Sequence, residues 1–327
     1  MLWADLHEQE QVRLALQADL LAGTVSHAVL ITGPSGSGKR TWGKILARAL
    51  LCPDRRGAEP CLECSSCRLF ASGNHPNFFY VEPQSQTIKI EQIREIRGKF
   101  FFEGETRVCL INQAERMTAE AGSSLLKILE EPPEGLYFIL LAERPHQLPS
   151  TIVSRCRHYS LPPLSPAAIT SILEQRAGIE RQKASFISRM SKGLPGMALE
   201  MAGDPVFADR IQEASNLGAK LSAGDLRPRE ILEQAVLLSE REDLTQFLEM
   251  LFLYYRDGLI RKLCCNEALL VNPDQDISAL EGLQPHTLVA ALELLHATLK
   301  ELKLTNVNRR LAMEGLLIQL QRRFRNA

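Results

Sequence analysis

The hydrophobic pattern divides the chain into a first part that alternates strands with helices and a second part that is helical throughout. Four short runs in the first part are apolar without alternation, which is typical of strands buried on both faces of a parallel sheet. They are AVLIT at 28–32, NFFYVE at 77–82, RVCLIN at 107–112 and LYFILLA at 136–142. Helical patterns lie between them at 38–51 and 119–131, and Pro132 and Pro133 end the second. The pattern predicts an α/β fold, a parallel sheet with crossover helices.

Proline and glycine residues predict the boundaries between this α/β domain and the domains that follow it. Several prolines fall between residues 162 and 166, and Ser165 before Pro166 is a good helix start. A short helical segment then runs to about residue 202, and a Gly-Asp-Pro sequence precedes an all-helical remainder. One apolar face of that remainder has helical spacing, at Leu244, Phe247, Leu248, Leu251, Phe252, Tyr255 and Leu259. We therefore expect domain boundaries near residues 163 and 204.

Composition adds few constraints on function. The 327 residues, 45% of them hydrophobic, suffice for two or three domains with their own cores. The net charge of −1 means that any contact with nucleic acid needs a local basic patch. The basic C-terminus could contact DNA, but it does not interleave aromatic with basic residues as a groove for single-stranded DNA would. Direct DNA contact therefore stays open. The start of the chain lacks the pattern of a signal peptide and no apolar run could span a bilayer, so we expect a cytoplasmic protein.

The segment GPSGSGK, which follows the first predicted strand, has the pattern of a phosphate-binding loop. Gly33, Gly36 and Gly38 let backbone N–H groups wrap a phosphate, and Lys39 reaches the terminal phosphates. A strand precedes the segment and a helix follows it, as this motif requires. The segment predicts a nucleotide site of the P-loop type.

The residues that would make such a site catalytic are replaced. Arg40 occupies the position of the hydroxyl that binds Mg²⁺, and Thr41 is one residue late, which turns its side chain by about 100° on a helix. Asn112 and Gln113 stand at the end of a later strand, where an acidic pair is needed for Mg²⁺ and for the attacking water. Glu115 lies close enough to be a substitute. We expect a degenerate site, vacant or with idle nucleotide binding.

Four cysteines with the spacing C-x8-C-x2-C-x2-C follow the P-loop helix. Cys52, Cys61, Cys64 and Cys67 can close a tetrahedron around Zn²⁺, and four sulfur ligands leave no position for water. We therefore predict a structural zinc site, with His75 as a less favoured substitute ligand. The other four cysteines are interpreted as core residues: Cys109, Cys156, Cys264 and Cys265.

Together these segments resemble the AAA+ subunits of bacterial replicative clamp loaders. The resemblance rests on SHAVLITGPSGSGK at 26–39, the cysteine insert at 52–67, SSLLKILEEPP at 123–133 and STIVSRC at 150–156, with NVNRRLAMEGLLIQL at 306–320 as a weaker match to the last collar helices. It implies a P-loop AAA+ α/β domain at 1–163, a small helical lid at 164–204 and an all-α collar domain for oligomerisation at 205–327.

Within this family, motor subunits (gamma or tau) bind and hydrolyse ATP, whereas a stator subunit does not. Besides the changes described above, Glu143 stands where motors have a small polar sensor residue, and Gly196 stands where they have an arginine that reaches the nucleotide. These departures favour a stator without intrinsic ATPase activity. The implied partners are the motor subunits and the delta subunit, with the β sliding clamp and primed DNA reached through the complex.

The segment Ser-Arg-Cys at 154–156 resembles the arginine-finger motif of the family. The resemblance implies that Arg155 enters the ATP site of a neighbouring motor and stabilises the charge on the transferring phosphoryl group. Taken without the motif, Arg155 would be read as a surface or interface arginine. Two other functions stay open: an active motor that uses Lys39, Thr41 and Glu115, and a zinc-stabilised nucleotide-binding module outside replication.

Overall fold

The computed structural model describes residues 2–98, 106–264, 269–273, 275–304 and 307–325. The chain forms two compact units, Met1–Glu200 and Met201–Ala327. The three-part division stays a prediction, because this partition does not test a boundary near residue 163.

The first unit is built on a five-stranded sheet in the order β2-β3-β4-β1-β5, in which every neighbouring pair is parallel. The strands are β1 (Ala28–Thr32), β2 (Phe78–Val81), β3 (Arg107–Ile111), β4 (Leu136–Ala142) and β5 (Arg157–Ser160). The predicted parallel α/β fold is therefore confirmed. The fifth strand was not predicted from the sequence.

Nine α-helices of the described residues belong to the first unit or begin in it. They are α1 (Glu10–Ala22), α2 (Lys39–Leu51), α3 (Ser65–Ala71), α4 (Ile90–Gly98), α5 (Ala119–Glu130), α6 (Ser150–Val153), α7 (Pro166–Ala177), α8 (Arg181–Met190) and α9 (Pro195–Gly203). Ser165 caps α7 as predicted, because its hydroxyl accepts a hydrogen bond from the N–H of Ala168 at 3.2 Å.

Apolar side chains on both faces of the sheet form two hydrophobic clusters. In β1, Ala28 and Leu30 belong to one cluster, whereas Val29 and Ile31 belong to the other. The three central strands, β3, β4 and β1, are almost completely buried, which explains their continuous apolar sequences. The central position of β1 fixes the start of the P-loop, because the loop begins at the carboxyl end of this strand.

The second unit is helical, as the sequence predicts. Its helices are α10 (Phe207–Ala223), α11 (Pro228–Ser239), α12 (Leu244–Leu263), α13 (Pro285–Leu304) and α14 (Arg309–Arg325). Five residues of the predicted apolar face of α12 are buried, and Phe252 and Leu259 are half-buried. Tyr255 donates a hydrogen bond to the carbonyl of Gly218 at 3.1 Å and thereby joins α12 to α10.

The prediction that the isolated cysteines are core residues is only partly right. Cys109 is buried in one of the two hydrophobic clusters of the sheet, and Cys156 is partly buried against that cluster. Cys264 is exposed directly after α12, so its assignment to the core is wrong: Leu263 before it is exposed as well, because the last turn of this helix is not covered. Cys265 lies outside the described residues. Within the described part of the chain, no helix combines the length and apolarity needed to cross a membrane.

Candidate functional site

The P-loop connects β1 to α2, and its lysine turns back onto its own loop. The Nζ of Lys39 donates hydrogen bonds to the carbonyls of Gly33 and Pro34, both at 2.8 Å. Burial lowers the pKa of Lys39, whereas the charges of Glu143 and Glu115 oppose this shift. The ammonium group is thus held by the backbone carbonyls of the loop, and the charges of the two carboxylates act on it without an ion pair among the described residues.

The start of α9 packs directly on the P-loop. The N–H of Gly196 donates a hydrogen bond to the carbonyl of Gly36 at 2.8 Å. A Cβ atom at residue 196 would lie only 2.9 Å from the Cα of Gly36, and one at Gly36 would lie 3.2 Å from the N of Met197. Gly36 also has a φ of +78°, which L side chains rarely adopt. An arginine at position 196 does not fit this packing.

The remaining space beside the loop is small. A cavity of about 120 Å³ is lined by residues that include Ser37, Gly38 and Thr41 of the P-loop region, Leu6 and His7 of the N-terminal segment, and Arg176 of α7. Drug-sized and cofactor ligands usually occupy pockets of about 300–1,000 Å³. Of the predicted nucleotide residues, Gly38 and Thr41 line this cavity, which is smaller than the pockets that such ligands usually occupy.

The N-terminal segment forms one wall of this cavity, a role that the sequence did not indicate. Arg176 donates a hydrogen bond to the carbonyl of Asp5 at 2.7 Å. The Glu8 carboxylate accepts hydrogen bonds from the backbone N–H of Ser165, at 2.8 Å, and from the Ser165 hydroxyl. Burial, and then the charge of Arg176, lower the pKa of His7, which favours its neutral form in the cavity wall.

The two replaced positions next to the loop have partners of their own. Arg40 is exposed and lies 3.8 Å from the carboxylate of Glu82. Asn112 is buried directly after β3, and its backbone N–H donates a hydrogen bond to the carbonyl of Val81 at 2.8 Å. An arginine and an amide in these places supply neither a hydroxyl nor a carboxylate for Mg²⁺.

Glu115 and Glu143 interact with each other at the same edge of the sheet. The Oε1 of Glu115 accepts a hydrogen bond from the backbone N–H of Glu143 at 3.0 Å. Among the described residues its buried Oε2 has no hydrogen-bond partner. Glu115 is therefore the one carboxylate near Lys39 with a buried acceptor atom that the described residues do not satisfy.

The four cysteines of the insert form a compact cluster. Their Sγ atoms all lie within 4.8 Å of one another, with Cys52 at 3.6 Å from Cys61 and 3.9 Å from Cys64. Zinc–sulfur bonds of about 2.3 Å in a tetrahedron place the sulfurs about 3.8 Å apart. The arrangement fits a four-coordinate metal and offers no position for water, so the cluster can hold a structural metal such as zinc.

Backbone N–H groups point at the sulfurs of this cluster. The N–H groups of Cys61, Cys64 and Cys67 each lie 3.3 Å from the sulfur of the preceding cysteine of the cluster. Hydrogen bonds from the backbone of Cys64 and Glu63 lower the pKa of Cys61 to about 7, whereas burial raises that of Cys52 to about 12. The backbone hydrogen bonds thus favour the thiolate form of Cys61, whereas burial opposes it at Cys52.

His75 is used elsewhere and is not a member of the cluster. Its Nδ1 accepts a hydrogen bond from the N–H of Asn77 at 3.1 Å, so its Nε2 carries the proton and donates to Ser66 at 2.9 Å. The hydroxyl of Ser66 donates in turn to the carbonyl of Leu51 at 2.7 Å. This chain of hydrogen bonds gives His75 a structural role beside the insert.

Arg155 lies in the turn between α6 and β5 and is 36% exposed. Its Nη2 donates to the Oε1 of Glu130 at 2.6 Å, and its Nη1 donates to the carbonyl of Thr151 at 3.0 Å. Glu130, the last residue of α5, was not singled out from the sequence. Its position could have indicated a role, because the helix dipole disfavours a carboxylate at the C-terminal end of a helix.

Comparison with known proteins assigns the family. The family model described as "DNA polymerase III, delta subunit" matches residues 8–165. The chain is 31% identical to the DNA polymerase III subunit delta' of Bacillus subtilis over 98% of this chain and 98% of that protein. The chain belongs to the DNA polymerase III subunit delta' family.

The chain is also similar to other subunits of DNA polymerase III. The DNA polymerase III subunit tau of Bacillus subtilis is 28% identical over 92% of this chain, which spans 58% of that protein. A solved structure of a gamma subunit-related protein of DNA polymerase III from Thermotoga maritima has 17% identity and a TM-score of 0.43, and the match covers 96% of this chain and 99% of that chain. The predicted resemblance to clamp-loader subunits is confirmed by the similarity to subunit delta', and the roles of individual residues stay predictions.

Proposed function

We propose that this chain is the non-motor subunit of a bacterial clamp loader, a stator that does not hydrolyse ATP. In this role it assembles with gamma or tau motor subunits and a delta subunit. The complex opens the β sliding clamp and places it on primed DNA. Membership of the delta' family supports this assignment over a nucleotide-binding module outside replication.

The observation that carries the proposal is the closed P-loop. Lys39 is bonded to the carbonyls of its own loop, and Gly196 occupies the approach to Gly36. Phosphate binding by Lys39 would have to release its ammonium group from these carbonyls, and the cavity beside Gly38 and Thr41 measures only about 120 Å³. Replacement of the Mg²⁺ ligands by Arg40 and Asn112 supports the same conclusion.

The proposed chemical contribution is made in trans by Arg155. An arginine finger stabilises the negative charge that develops during phosphoryl transfer, and such fingers are worth about 10³–10⁵ in rate. Arg155 is partly exposed, and its two hydrogen-bond partners leave further N–H groups of the guanidinium available. This supports a role at the surface rather than in the P-loop of its own chain.

The metal proposed for the cysteine cluster is zinc, held by Cys52, Cys61, Cys64 and Cys67. It would tie the insert together at the end of α2. Arg48 of α2 donates a hydrogen bond to the carbonyl of Cys67 at 2.8 Å, which joins the P-loop helix to the insert. Zinc supplies rigidity here and no step of catalysis, since four thiolates fill its coordination sphere.

One observation favours a second function, that of an active motor. The Oε2 of Glu115 is buried without a hydrogen-bond partner among the described residues, and its charge acts on Lys39. A carboxylate in this state can bind Mg²⁺ or polarise a water molecule if the loop opens. The similarity to a tau subunit is consistent with a common origin of both kinds of subunit.

Clamp loading in a reconstituted system tests the proposed function. The motor and delta subunits, the clamp and primed DNA are combined with the wild-type chain, with the Lys39→Ala variant, or without this chain. The proposal predicts that loading requires this chain and that Lys39→Ala is as active as the wild type. ATP hydrolysis by the isolated chain that is abolished by Lys39→Ala would establish the motor function instead.

A further inference from the structure

Helix α5 ends, within the SSLLKILEEPP segment, on a carboxylate that is electrostatically unfavourable at this position. Glu130 is the last residue of this helix, and Pro132 and Pro133 prevent the helix from continuing. A negative charge at a helix C-terminus is unfavourable because the unpaired carbonyls already give this end a partial negative charge. The Arg155 guanidinium compensates for it, since its Nη2 lies 2.6 Å from the Oε1 of Glu130.

The backbones that carry the two side chains belong to one packed unit. Ile152 of α6 is completely buried, and a Cβ atom at Gly122 of α5 would lie 3.7 Å from its Cδ1. The N–H of Arg155 donates to the carbonyl of Ile152 at 3.1 Å, which ties the turn to α6. The relative positions of the Glu130 and Arg155 backbones are therefore set by the packing of α6 on α5.

Two contacts fix the orientation of the guanidinium group. Glu130 binds one Nη2 hydrogen and the carbonyl of Thr151 binds one Nη1 hydrogen. An arginine has five N–H donors in a planar fork, so three donors are uncommitted within the described residues. Because Arg155 is 36% exposed, the guanidinium can meet a ligand outside the chain while it keeps these two contacts.

We infer that Glu130 is a positioning residue for Arg155. It holds the guanidinium in the outward orientation in which its remaining donors meet the phosphates of a nucleotide in the neighbouring motor subunit. This inference rests on the proposed function of Arg155 as a finger in trans. It assigns a purpose to the glutamate of the SSLLKILEEPP segment, which the fold alone does not require.

The expected effect is modest. An exposed ion pair contributes at most about 1 kcal/mol, which corresponds to about a fivefold change in the population of the competent orientation. Glu130→Gln keeps the shape and a neutral acceptor but removes the charge. Glu131→Gln is the matched control, because Glu131 is exposed, is the next residue of the chain and has no ion-pair partner among the described residues.

Pre-steady-state ATP hydrolysis in the complete complex with clamp and primed DNA tests the inference. The relevant phase is the one that Arg155→Ala slows. We expect Glu130→Gln to lower the rate of this phase about two- to fivefold at saturating ATP, with an unchanged KM for ATP, and Glu131→Gln to leave it unchanged. In the Arg155→Ala background, Glu130→Gln is expected to have no further effect, which a merely structural role would not produce.

The outcomes separate the two proposals. If Arg155→Ala slows no phase, the finger in trans fails and the role of Glu130 fails with it. If Arg155→Ala slows a phase but Glu130→Gln does not, or accelerates it, only the role of Glu130 is overturned. Gel filtration of each complex shows whether the variants assemble, and an effect of Glu130→Gln that persists in the Arg155→Ala background also overturns the positioning role.

Discussion

The N–H of Gly196 donates a hydrogen bond to the carbonyl of Gly36 at 2.8 Å, and the two glycines are too close for a side chain at position 196. This contact joins the start of α9 to the P-loop. It accounts physically for the absence of an arginine at a position where the motor subunits of the family are expected to have one.

Gly196→Ala should therefore destabilise the first unit. The added Cβ would lie 2.9 Å from the Cα of Gly36, and such overpacking costs about 1–3 kcal/mol. The measurement is the midpoint of unfolding in urea. Gly203→Ala in the same helix is the control, because a Cβ there meets nothing within 4 Å, and its effect should stay within about 0.5 kcal/mol. Equal midpoints for both variants would show that the close contact does not stabilise the fold.

The closed P-loop predicts that ATP does not stabilise the isolated chain. A ligand at 100 times its Kd would raise the free energy of unfolding by about 2.7 kcal/mol. We expect the melting temperature to be the same with and without millimolar Mg-ATP, for the wild type and for Lys39→Ala. A rise that is present in the wild type and lost in Lys39→Ala would mean that the loop opens and binds nucleotide.

The cysteine cluster predicts about one bound zinc ion per chain. Cys61→Ser should reduce the zinc content measured by atomic absorption and lower the melting temperature, because three sulfurs and a hydroxyl hold zinc more weakly. Cys264→Ser is the matched control, since Cys264 is exposed and lies outside the cluster. Full zinc content in Cys61→Ser, or zinc loss in Cys264→Ser, would contradict the assignment. A strong chelator should destabilise the wild type and have little effect on Cys61→Ser.

Tyr159 should make stability depend on pH in the alkaline range. Its hydroxyl donates to the Asp19 carboxylate at 2.7 Å, and burial, followed by this hydrogen bond, raises the pKa of the phenol above its usual value near 10. The unfolded chain then loses the phenol proton at a lower pH than the folded chain, so the stabilisation is complete below pH 10 and is lost as the pH rises further.

Tyr159→Phe measures this contribution. The substitution removes a hydrogen bond to a charged group and should cost about 1.5–3 kcal/mol at neutral pH. The difference in unfolding free energy between wild type and variant should shrink as the pH rises above 10. The phenol of the unfolded wild type then loses its proton while that of the folded chain keeps it, and this stabilises the unfolded state. A difference that does not change between pH 8 and pH 11 would contradict the raised pKa.

Sequence predicted the parts of the fold that depend on burial or on local spacing. The central strands were found because both of their faces are buried, and the cysteine spacing is sufficient to bring four sulfurs together. The strand at 157–160 was missed because it lies at the edge of the sheet, where only Tyr159 is buried. Cys264 was predicted to lie in the core because apolar residues precede it, but the buried part of α12 ends before this position.

The contacts that define the candidate site could not be predicted in the same way. Glu130 and Arg155 are 25 residues apart, and Glu8 and Ser165 are 157 residues apart, so no local pattern reports either pair. The motif resemblance indicated that Arg155 matters but not what holds it. Likewise, the change to glycine at position 196 was visible in the sequence, whereas the reason for it is the packing on Gly36.

The central claim is that the chemistry of this chain takes place in a neighbouring subunit. The most direct test is the rate of DNA-stimulated ATP hydrolysis in the reconstituted complex, compared for the wild type and Arg155→Ala. We expect the hydrolysis phase of the adjacent motor subunit to slow by at least about tenfold, a conservative share of the effect of an arginine finger, while the complex still assembles. An unchanged rate in every phase would contradict the account.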